Sequence, residues 1–568
     1  MSRSAKKTDR SKKNIRATND AKRFSAESVA VVVVCLVALA LYLSLARAPF
    51  LSWDDDRNVS ANPYYLHLGW WRLWETPYFG MYVPVISSVW AWLLRVGDGD
   101  AWVFRVFNAV LHATNAVLVW RLIAALSRRV MPDDDTPRRA AAVAAAVAVF
   151  ALHPLQSAAV AWISGGRDLL ATMFAFASVI VLLRESRWSF LIATLLFIAG
   201  MLSKPSIAGV PLAVVAFVAV FERPRLRSAL TGMSVWAAIV LVISVGTSLL
   251  QTDMASVHVA VLERPLVALD AAGFYLLKVL LPQSLSVDYG RTPDWLWRHA
   301  ASAIPTAAAV LTAVGLAWWK GRNNKAYGVA ALWLLLLAPV LGFVPFAFQR
   351  ISTVADHYVY FPMIAVSLAV FVIVNDRIAS QRVAWALFGV IVLACTAVTV
   401  SRLDVWRSDE ALFSDALEKN PDSFSALNNL AKVACANGQF DRGVELADRA
   451  LSIQPADTPV LVNRAYCLYH GGALDQVIAM RGVFADPMVQ GNLDRNLEAA
   501  GAFANLVAGA LFQRGQIDRG WKLLCQALAV NPLDENLRQN AIDVSRMLIQ
   551  GGQAPQCETR QPWGEFAN

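Results

Sequence analysis

Apolar residues fall in long runs from about Val29 to Val400, each bounded by charges, glycine or proline, and from Ser401 onward the runs stop. Runs near 29–46, 101–126, 139–152, 167–183, 188–202, 206–221, 229–250, 300–319, 327–345, 358–374 and 383–400 read as membrane-spanning helices. A helix needs about 20 apolar residues to cross a bilayer, so the pattern predicts an all-α, polytopic domain of about eleven spans. The stretch 251–299, with an amphipathic piece around Leu266 to Leu281, predicts an interfacial or re-entrant loop that begins and ends on one face.

From Ser408 the pattern changes to helical hairpins. Gly438-Gln-Phe-Asp-Arg-Gly443 recurs 77 residues later as Gly515-Gln-Ile-Asp-Arg-Gly520, and Pro455 recurs as Pro532. Pro421 and Pro455, Gly438 and Gly472, and Asp441 and Asp475 are each 34 apart, the tetratricopeptide period. About three repeats are expected, with an insertion near Asp486 to Leu497; such arrays form an α-solenoid with a concave face for an extended partner. The expected organisation is a basic tail over 1–27, a membrane domain over 28–400, the repeats over 401–550 and a tail over 551–568.

Composition agrees: 57% of the 568 residues are hydrophobic and 16% charged, too apolar for a soluble chain of this length. The net charge of +9 does not imply a nucleic-acid partner, because nine basic residues lie within the first 23 and read as a cytoplasmic orientation signal. With the N-terminus inside, Arg128 and Arg129, Arg184 to Arg187, Arg223 to Arg227, Lys320 to Lys325, and Arg377 with Arg382 also fall inside. An odd number of crossings then puts the repeats on the opposite face, periplasmic in a bacterial inner membrane or lumenal in a eukaryote. Val29 to Ala46 is too long for a signal-peptide core and reads as a retained first span. Six scattered cysteines show no paired spacing; Cys435, Cys467 and Cys525 on repeat helices are expected as small buried hydrophobes.

The polar residues of the membrane domain collect at the non-cytosolic face, where an ionisable group at membrane depth is expensive and points to function. Asp54, Asp55 and Asp56 follow the first span, His153 ends the third, and Arg167 and Asp168 open the fourth. Lys204 sits in a tight Ser-Lys-Pro turn between two apolar runs, and Asp288, Tyr289, Arg350, Asp356, His357 and Tyr358 complete the set. Carboxylates and cations at one level suit the joining of an anionic lipid head to a hydroxyl acceptor. A cation would hold the phosphate leaving group and a carboxylate would take the acceptor's proton. Three adjacent aspartates are also a candidate site for a divalent metal. Trp70, Trp71 and Trp74, with Trp295 and Trp297, read as an interfacial aromatic belt, with sugar stacking as the functional alternative.

Several segments together carry a resemblance. They are Phe50-Leu-Ser-Trp-Asp-Asp-Asp with Asn62-Pro63, His153-Pro-Leu-Gln-Ser-Ala-Ala-Val-Ala-Trp162 with Arg167-Asp168-Leu169, Leu202-Ser-Lys-Pro205, Val287-Asp-Tyr289, and Ala355-Asp-His-Tyr-Val-Tyr-Phe-Pro362. In this order, followed by repeats, the set resembles the transmembrane and tetratricopeptide-repeat O-mannosyltransferases and their bacterial relatives, of the GT-C glycosyltransferase superfamily. The resemblance implies a polyprenyl-phosphate or dolichyl-phosphate sugar donor, a protein or peptide hydroxyl acceptor and an inverting displacement. It places the catalytic base at Asp54 or Asp55, with Asp56 a weaker candidate. It places donor-phosphate contacts at Lys204, Arg167 and His153, with Asp168 orienting Arg167. It also implies an Arg where His357 stands, so that this chain departs from the pattern there.

A transporter or flippase of a lipid-linked sugar, with the repeats as a docking scaffold, is the alternative. Transporters usually carry duplicated membrane halves and charges at mid-span, and neither is visible here. A plain membrane anchor would need one span rather than eleven.

Overall fold

Every regular element that the computed structural model describes is helical, and a single isolated bridge, Tyr78 to Met81, is the one extended pairing among those residues. Described are residues 26–130, 138–250, 259–299, 304–308, 310–312, 315, 325–485, 489, 496–532, 534–550 and 557. The basic tail up to residue 25, most of the expected span at 300–319, the turn before Lys325, most of the insertion near 486–497 and nearly all of 551–568 lie outside them. The chain divides into two units, Met1–Ser408 and Asp409–Asn568.

Among the described residues of the first unit five helices are long and apolar enough to cross a membrane: Ala26–Leu43, Ala101–Arg129, Ile163–Leu182, Arg223–Thr247 and Gln381–Arg407. Shorter apolar helices occupy Pro84–Val96, Arg139–Leu152, Ser189–Met201, Pro205–Phe221 and Gly328–Val340. The expected runs that are described thus become helices, but about eleven full-length crossings are not shown among the described residues. Proline and glycine at Pro205, Gly209, Pro339 and Gly342 break the apolar runs, so their hydrophobic length exceeds their helical length. The expected loop 251–299 contains the helix Arg264–Leu280 and the short helix Pro293–Arg298.

The helix Arg139–Leu152 sits at the centre, and from Ala140 to Leu152 each of its residues is buried. Its sequence is almost wholly alanine and valine, so the helices Ala101–Val130, Met363–Arg377 and Gln381–Asp404 can pack closely against it. A buried polar node joins them: His112 Nδ1 lies 2.8 Å from the Tyr360 hydroxyl, His112 Nε2 2.9 Å from the Ala151 carbonyl, and Asn115 Nδ2 donates to the Tyr360 hydroxyl at 3.1 Å. In an apolar surround, such hydrogen bonds fix helix register. At one end of the unit Arg129 pairs with Glu185 at 2.6 Å and Glu222 at 3.1 Å, and Arg225 also binds Glu185. The other end of Ala101–Val130, about 40 Å away at 1.5 Å per residue, holds Arg105 and the loop that follows the first helix.

The second unit is a series of antiparallel helix pairs. The first helices of successive pairs are Phe424–Ala436, Thr458–His470, Leu497–Gln513 and Glu535–Gln550. The second helices include Phe440–Ile453, Leu474–Ala479 and Ile517–Val530. Gly438, Gly472 and Gly515, one per turn, have φ of 77°, 80° and 72°, the left-handed region that a residue with a Cβ avoids. This is why the glycine recurs at the repeat period.

The cysteines of this unit correct the expectation of free buried thiols. Cys435 pairs with Cys467 and Cys525 with Cys557, both 32 residues apart, with Cα separations of 5.3 and 5.4 Å. Two positions nearly one repeat apart meet across neighbouring helices, a proximity that no local spacing reveals. Gly443 lies against the first disulfide: a Cβ there would collide with Cys435 Sγ and stand 2.9 Å from Cys467 Sγ. Closing a loop of this length stabilises by about 3–4 kcal/mol in the chain-entropy account. Reduction is therefore expected to lower the unfolding temperature of the repeats by calorimetry. Gly443→Val should leave Cys435 and Cys467 reactive to a maleimide that does not label wild type. Unchanged labelling would show that the pocket around the sulfurs is roomier than described.

Candidate active site

The site is built around a break in the helical chain. The short helix Gln156–Ala161 ends at Trp162, the chain turns through Ile163–Gly165, and a new helix begins at Gly166. Both glycines are needed: a Cβ on Gly165 would strike the Ala159 backbone and one on Gly166 would lie 2.8 Å from Asn108 Oδ1. Asn108 Nδ2 donates to the Trp162 carbonyl at 2.9 Å and the Ile163 carbonyl at 3.3 Å, which satisfies backbone groups that the break leaves unpaired.

The loop after the first helix is clamped onto this turn by Asp55. Its Oδ1 accepts from Ser164 N at 2.9 Å and Ser164 Oγ at 2.8 Å, and its Oδ2 accepts from Leu51 N at 3.2 Å. Asn58 Nδ2 adds a bond to Ser164 Oγ at 3.2 Å, and Trp162 Nε1 donates to the Trp53 carbonyl at 2.6 Å. Burial pushes the Asp55 carboxyl up to about 6, against the opposing pull of Arg105 and of the Ser164 and Leu51 bonds. Arg105 itself donates to the carbonyls of Ala161 and Pro49.

Asp54 is held differently. Its φ is +66°, a left-handed conformation costing a residue with a Cβ roughly 1–3 kcal/mol. Its carboxylate is half-buried, and no donor among the described residues bonds it. Burial raises its pKa, while Arg167 and then Arg57 lower it. Asp56 turns aside, its Oδ1 accepting from Arg57 N at 2.8 Å. The three aspartates therefore diverge. Among the described residues no group of three or more His, Cys, Asp and Glu side chains is placed to hold a metal.

Beyond Asp54 the cations gather. Arg167, buried, donates from Nε to the Ser164 carbonyl at 3.0 Å, lies 2.8 Å from Met81 Sδ, and covers the Trp162 ring with its guanidinium carbon 5.4 Å from the centroid. Lys204 Nζ meets both Asp168 oxygens at 2.7 Å and sits 5.3 Å from the Tyr358 ring centroid. The side-chain bonds of Asp168 thus go to Lys204, and Arg167 is oriented by Ser164 instead. Burial pushes the Lys204 ammonium down and the Asp168 carboxylate opposes it. His357 is buried among Trp162, Phe348 and Tyr358, at centroid distances of 5.1, 6.3 and 4.4 Å. Its pKa falls well below the usual value through burial, then through Lys204 and Arg167. Burial and the two neighbouring cations thus disfavour the charged imidazole at the position where the resemblance implies an arginine.

Of the residues the sequence singled out, one cluster thus holds Asp54, Arg167, Asp168, Lys204, His357 and Tyr358. Tyr289 donates to Asp356 Oδ1 at 2.6 Å, which ties the loop 283–292 to the turn that carries His357. His153 is engaged with backbone: Nε2 lies 3.1 Å from the Val279 carbonyl and Nδ1 accepts from Leu155 N at 3.3 Å, while burial holds its pKa near about 4. Asp288 closes a local turn by accepting from Gly290 N at 2.8 Å, and Arg350 is exposed on Ala347–Arg350. Sequence reasoning passed over Ser164, Asn108 and Arg105, and the ion pair of Arg291 with Asp270 at 2.5 Å that braces the loop bearing Tyr289. Asp270 was the visible signal, a carboxylate inside the amphipathic run 266–281.

A membrane bundle of several apolar helices with this polar cluster, joined to helical repeats, describes a multi-pass membrane protein. A tetratricopeptide-repeat family profile matches residues 412–445. The chain is distantly homologous to the protein O-mannosyl-transferase Tmtc2 of Drosophila melanogaster, 31% identical over 166 residues, which is 27% of this chain and 16% of that protein. The alignment therefore spans about a sixth of the relative's length. No solved structure matches the chain.

Because the folded pKa of Asp55 lies above the ordinary carboxylate value, its ionisation opposes folding. That penalty is absent below about pH 4, grows as pH rises toward about 6, and is constant above. Thermal unfolding in detergent should show Asp55→Asn gaining on wild type between pH 4 and 6 and running parallel to it at higher pH. A difference constant from pH 4 to 7 would mean that Asp55 ionises as an exposed carboxylate does. Asp54→Gly should unfold no earlier than wild type, since glycine accepts the left-handed backbone without strain.

Proposed function

We propose that the chain is a GT-C-type membrane glycosyltransferase that moves a sugar from a polyprenyl-phosphate-linked donor to a hydroxyl of an acceptor protein, which the repeats recruit. The carrying observation is the unbonded Asp54 carboxylate beside Arg167, with Lys204 one ion pair further in. Arg167 and Lys204 hold the donor phosphate, whose negative charge competes with Asp168 for Lys204. Asp54 takes the proton of the acceptor hydroxyl while the new oxygen–carbon bond forms at the sugar's anomeric carbon. The bond from that carbon to the phosphate oxygen breaks with inversion, and polyprenyl phosphate leaves. Strain at Asp54 fits this role, for the backbone there tolerates a residue that glycine would replace at lower cost. Asp55 serves as the clamp that keeps Asp54 in place, which separates two carboxylates that sequence reasoning left paired as candidate bases.

The reading places this cluster and the repeats on the non-cytosolic face, with the N-terminus in the cytoplasm, as in a bacterial inner membrane. Two disulfides in the repeat unit support it, because such bonds persist in oxidising compartments.

The test is transfer by the purified chain in nanodiscs, from a panel of radiolabelled polyprenyl-phosphate sugars to a secreted acceptor protein. Asp54→Asn should lower kcat by about 10²–10⁴-fold with the fold intact. Lys204→Ala should chiefly raise the donor KM. The acid limb of the pH profile should lie above the ordinary carboxylate range, since Asp54 must be ionised to act and its pKa is raised. Transfer unaffected by Asp54→Asn would sink the assignment of the base, and donor movement across the bilayer without transfer would replace the enzyme with a transporter.

A further inference from the structure

At the end of the membrane unit that carries Arg129, a cavity lies between four helices. Ala101–Val130, Val210–Phe221, Lys325–Leu337 and Met363–Arg377 each give it a wall. Ser127 and Lys325 are its two polar lining residues, and both stand near the ends of their helices. Below them the walls are apolar, reaching Ala213, Leu332 and Leu368. From Lys325 to Leu332 the cavity follows its helix for about 10 Å at 1.5 Å per residue. Small residues keep the space open: Ala213 and Ala216 on one wall, and Gly328 on another, where a Cβ would stand 2.9 Å from the Phe221 ring.

Cations ring the polar end. Arg139 Nη2 donates to Ser127 Oγ at 2.8 Å, Arg138 Nε donates to the Asn375 carbonyl, and Lys325 Nζ pairs with Asp376 Oδ2 at 2.8 Å. Neither Arg138 nor Arg139 pairs with a carboxylate among the described residues, so positive charge remains at the rim. We propose that the cavity holds one acyl chain of an anionic phospholipid of the surrounding bilayer, with the lipid phosphate on Arg139 and Lys325. Water has no partner on the walls below Ser127, and a buried water needs several polar contacts, so the occupant of that part is hydrocarbon. A bilayer supplies such chains, and a basic rim between membrane helices selects an anionic head over a zwitterionic one. The phosphate takes guanidinium N–H groups that Arg139 does not spend on Ser127 and competes with Asp376 for Lys325. This site lies at the end of the bundle remote from the candidate active site, and the inference stands whether or not the transferase reading does.

The test is native mass spectrometry of the full chain in detergent, titrated with dioleoyl phosphatidylglycerol, dioleoyl phosphatidylcholine and dihexanoyl phosphatidylglycerol. Wild type should hold one dioleoyl phosphatidylglycerol at least about tenfold more tightly than the choline lipid. The short-chain lipid, which has the same head, should bind at least about tenfold more weakly than the long-chain one. Ala216→Phe, which fills the cavity, should weaken dioleoyl phosphatidylglycerol by a similar factor, and Arg139→Gln with Lys325→Gln should bring it to within about twofold of the choline lipid. Thermal unfolding in detergent checks that the variants are folded, and the chain-length comparison tests the cavity on wild type alone. Equal affinity of wild type for the two dioleoyl lipids, equal affinity for the long and short chains, or a folded Ala216→Phe or double variant that binds as wild type does would each overturn the proposal.

Discussion

The clamp between Asp55 and Ser164 is the contact on which the polar end of the membrane unit depends. A buried carboxylate is costly unless donors surround it, and here three donors converge on one side chain, two of them from Ser164, 109 positions from Asp55, with Arg105 adjacent. Removing any of these partners leaves a buried polar group unsatisfied, at roughly 1–3 kcal/mol each. The clamp therefore fixes the loop to the helix break at 162–166, and that positioning brings Asp54 to Arg167. Without it the loop and the cations would be two separate polar surfaces.

The same logic of paired charge runs through the rest of the unit. Lys204 is held by Asp168, Arg291 by Asp270, and Arg129 by two glutamates, so these partly buried cations arrive with carboxylate partners. Asp54 differs in that no hydrogen bond from Arg167 reaches it: Nε and Nη1 of that arginine go to Ser164 and Met81, and its Nη2 makes no hydrogen bond among the described residues. A carboxylate left without a donor beside a cation is a poor structural element and a serviceable acceptor of a proton.

Much of this was legible in the chain. Apolar runs marked the helices because helical rise links hydrophobic length to membrane depth, and the repeat glycines marked turns that only a left-handed residue closes. Lys204 between two apolar runs pointed to a buried partner. Less legible was anything set by tertiary approach. The division of labour between Asp54 and Asp55 follows from one backbone angle, and the cysteine pairing follows from how successive repeats stack. The engagement of His153 with the Val279 carbonyl depends on a helix more than a hundred residues away. Hydrophobic runs also overstate helical length where proline and glycine interrupt them, so among the described residues spans counted by composition exceed those that qualify by geometry.

The alanine-rich helix Arg139–Leu152 has a mechanical consequence. With almost no side chain longer than valine along most of its length, the distance to its three neighbours is set by backbone against backbone, and little slack remains to be taken up by rotamer change. The middle of the bundle thus behaves as a rigid post. Movement within the bundle must therefore fall to peripheral elements such as Arg223–Thr247, which follows a proline-containing turn and has only 11% of its apolar window buried.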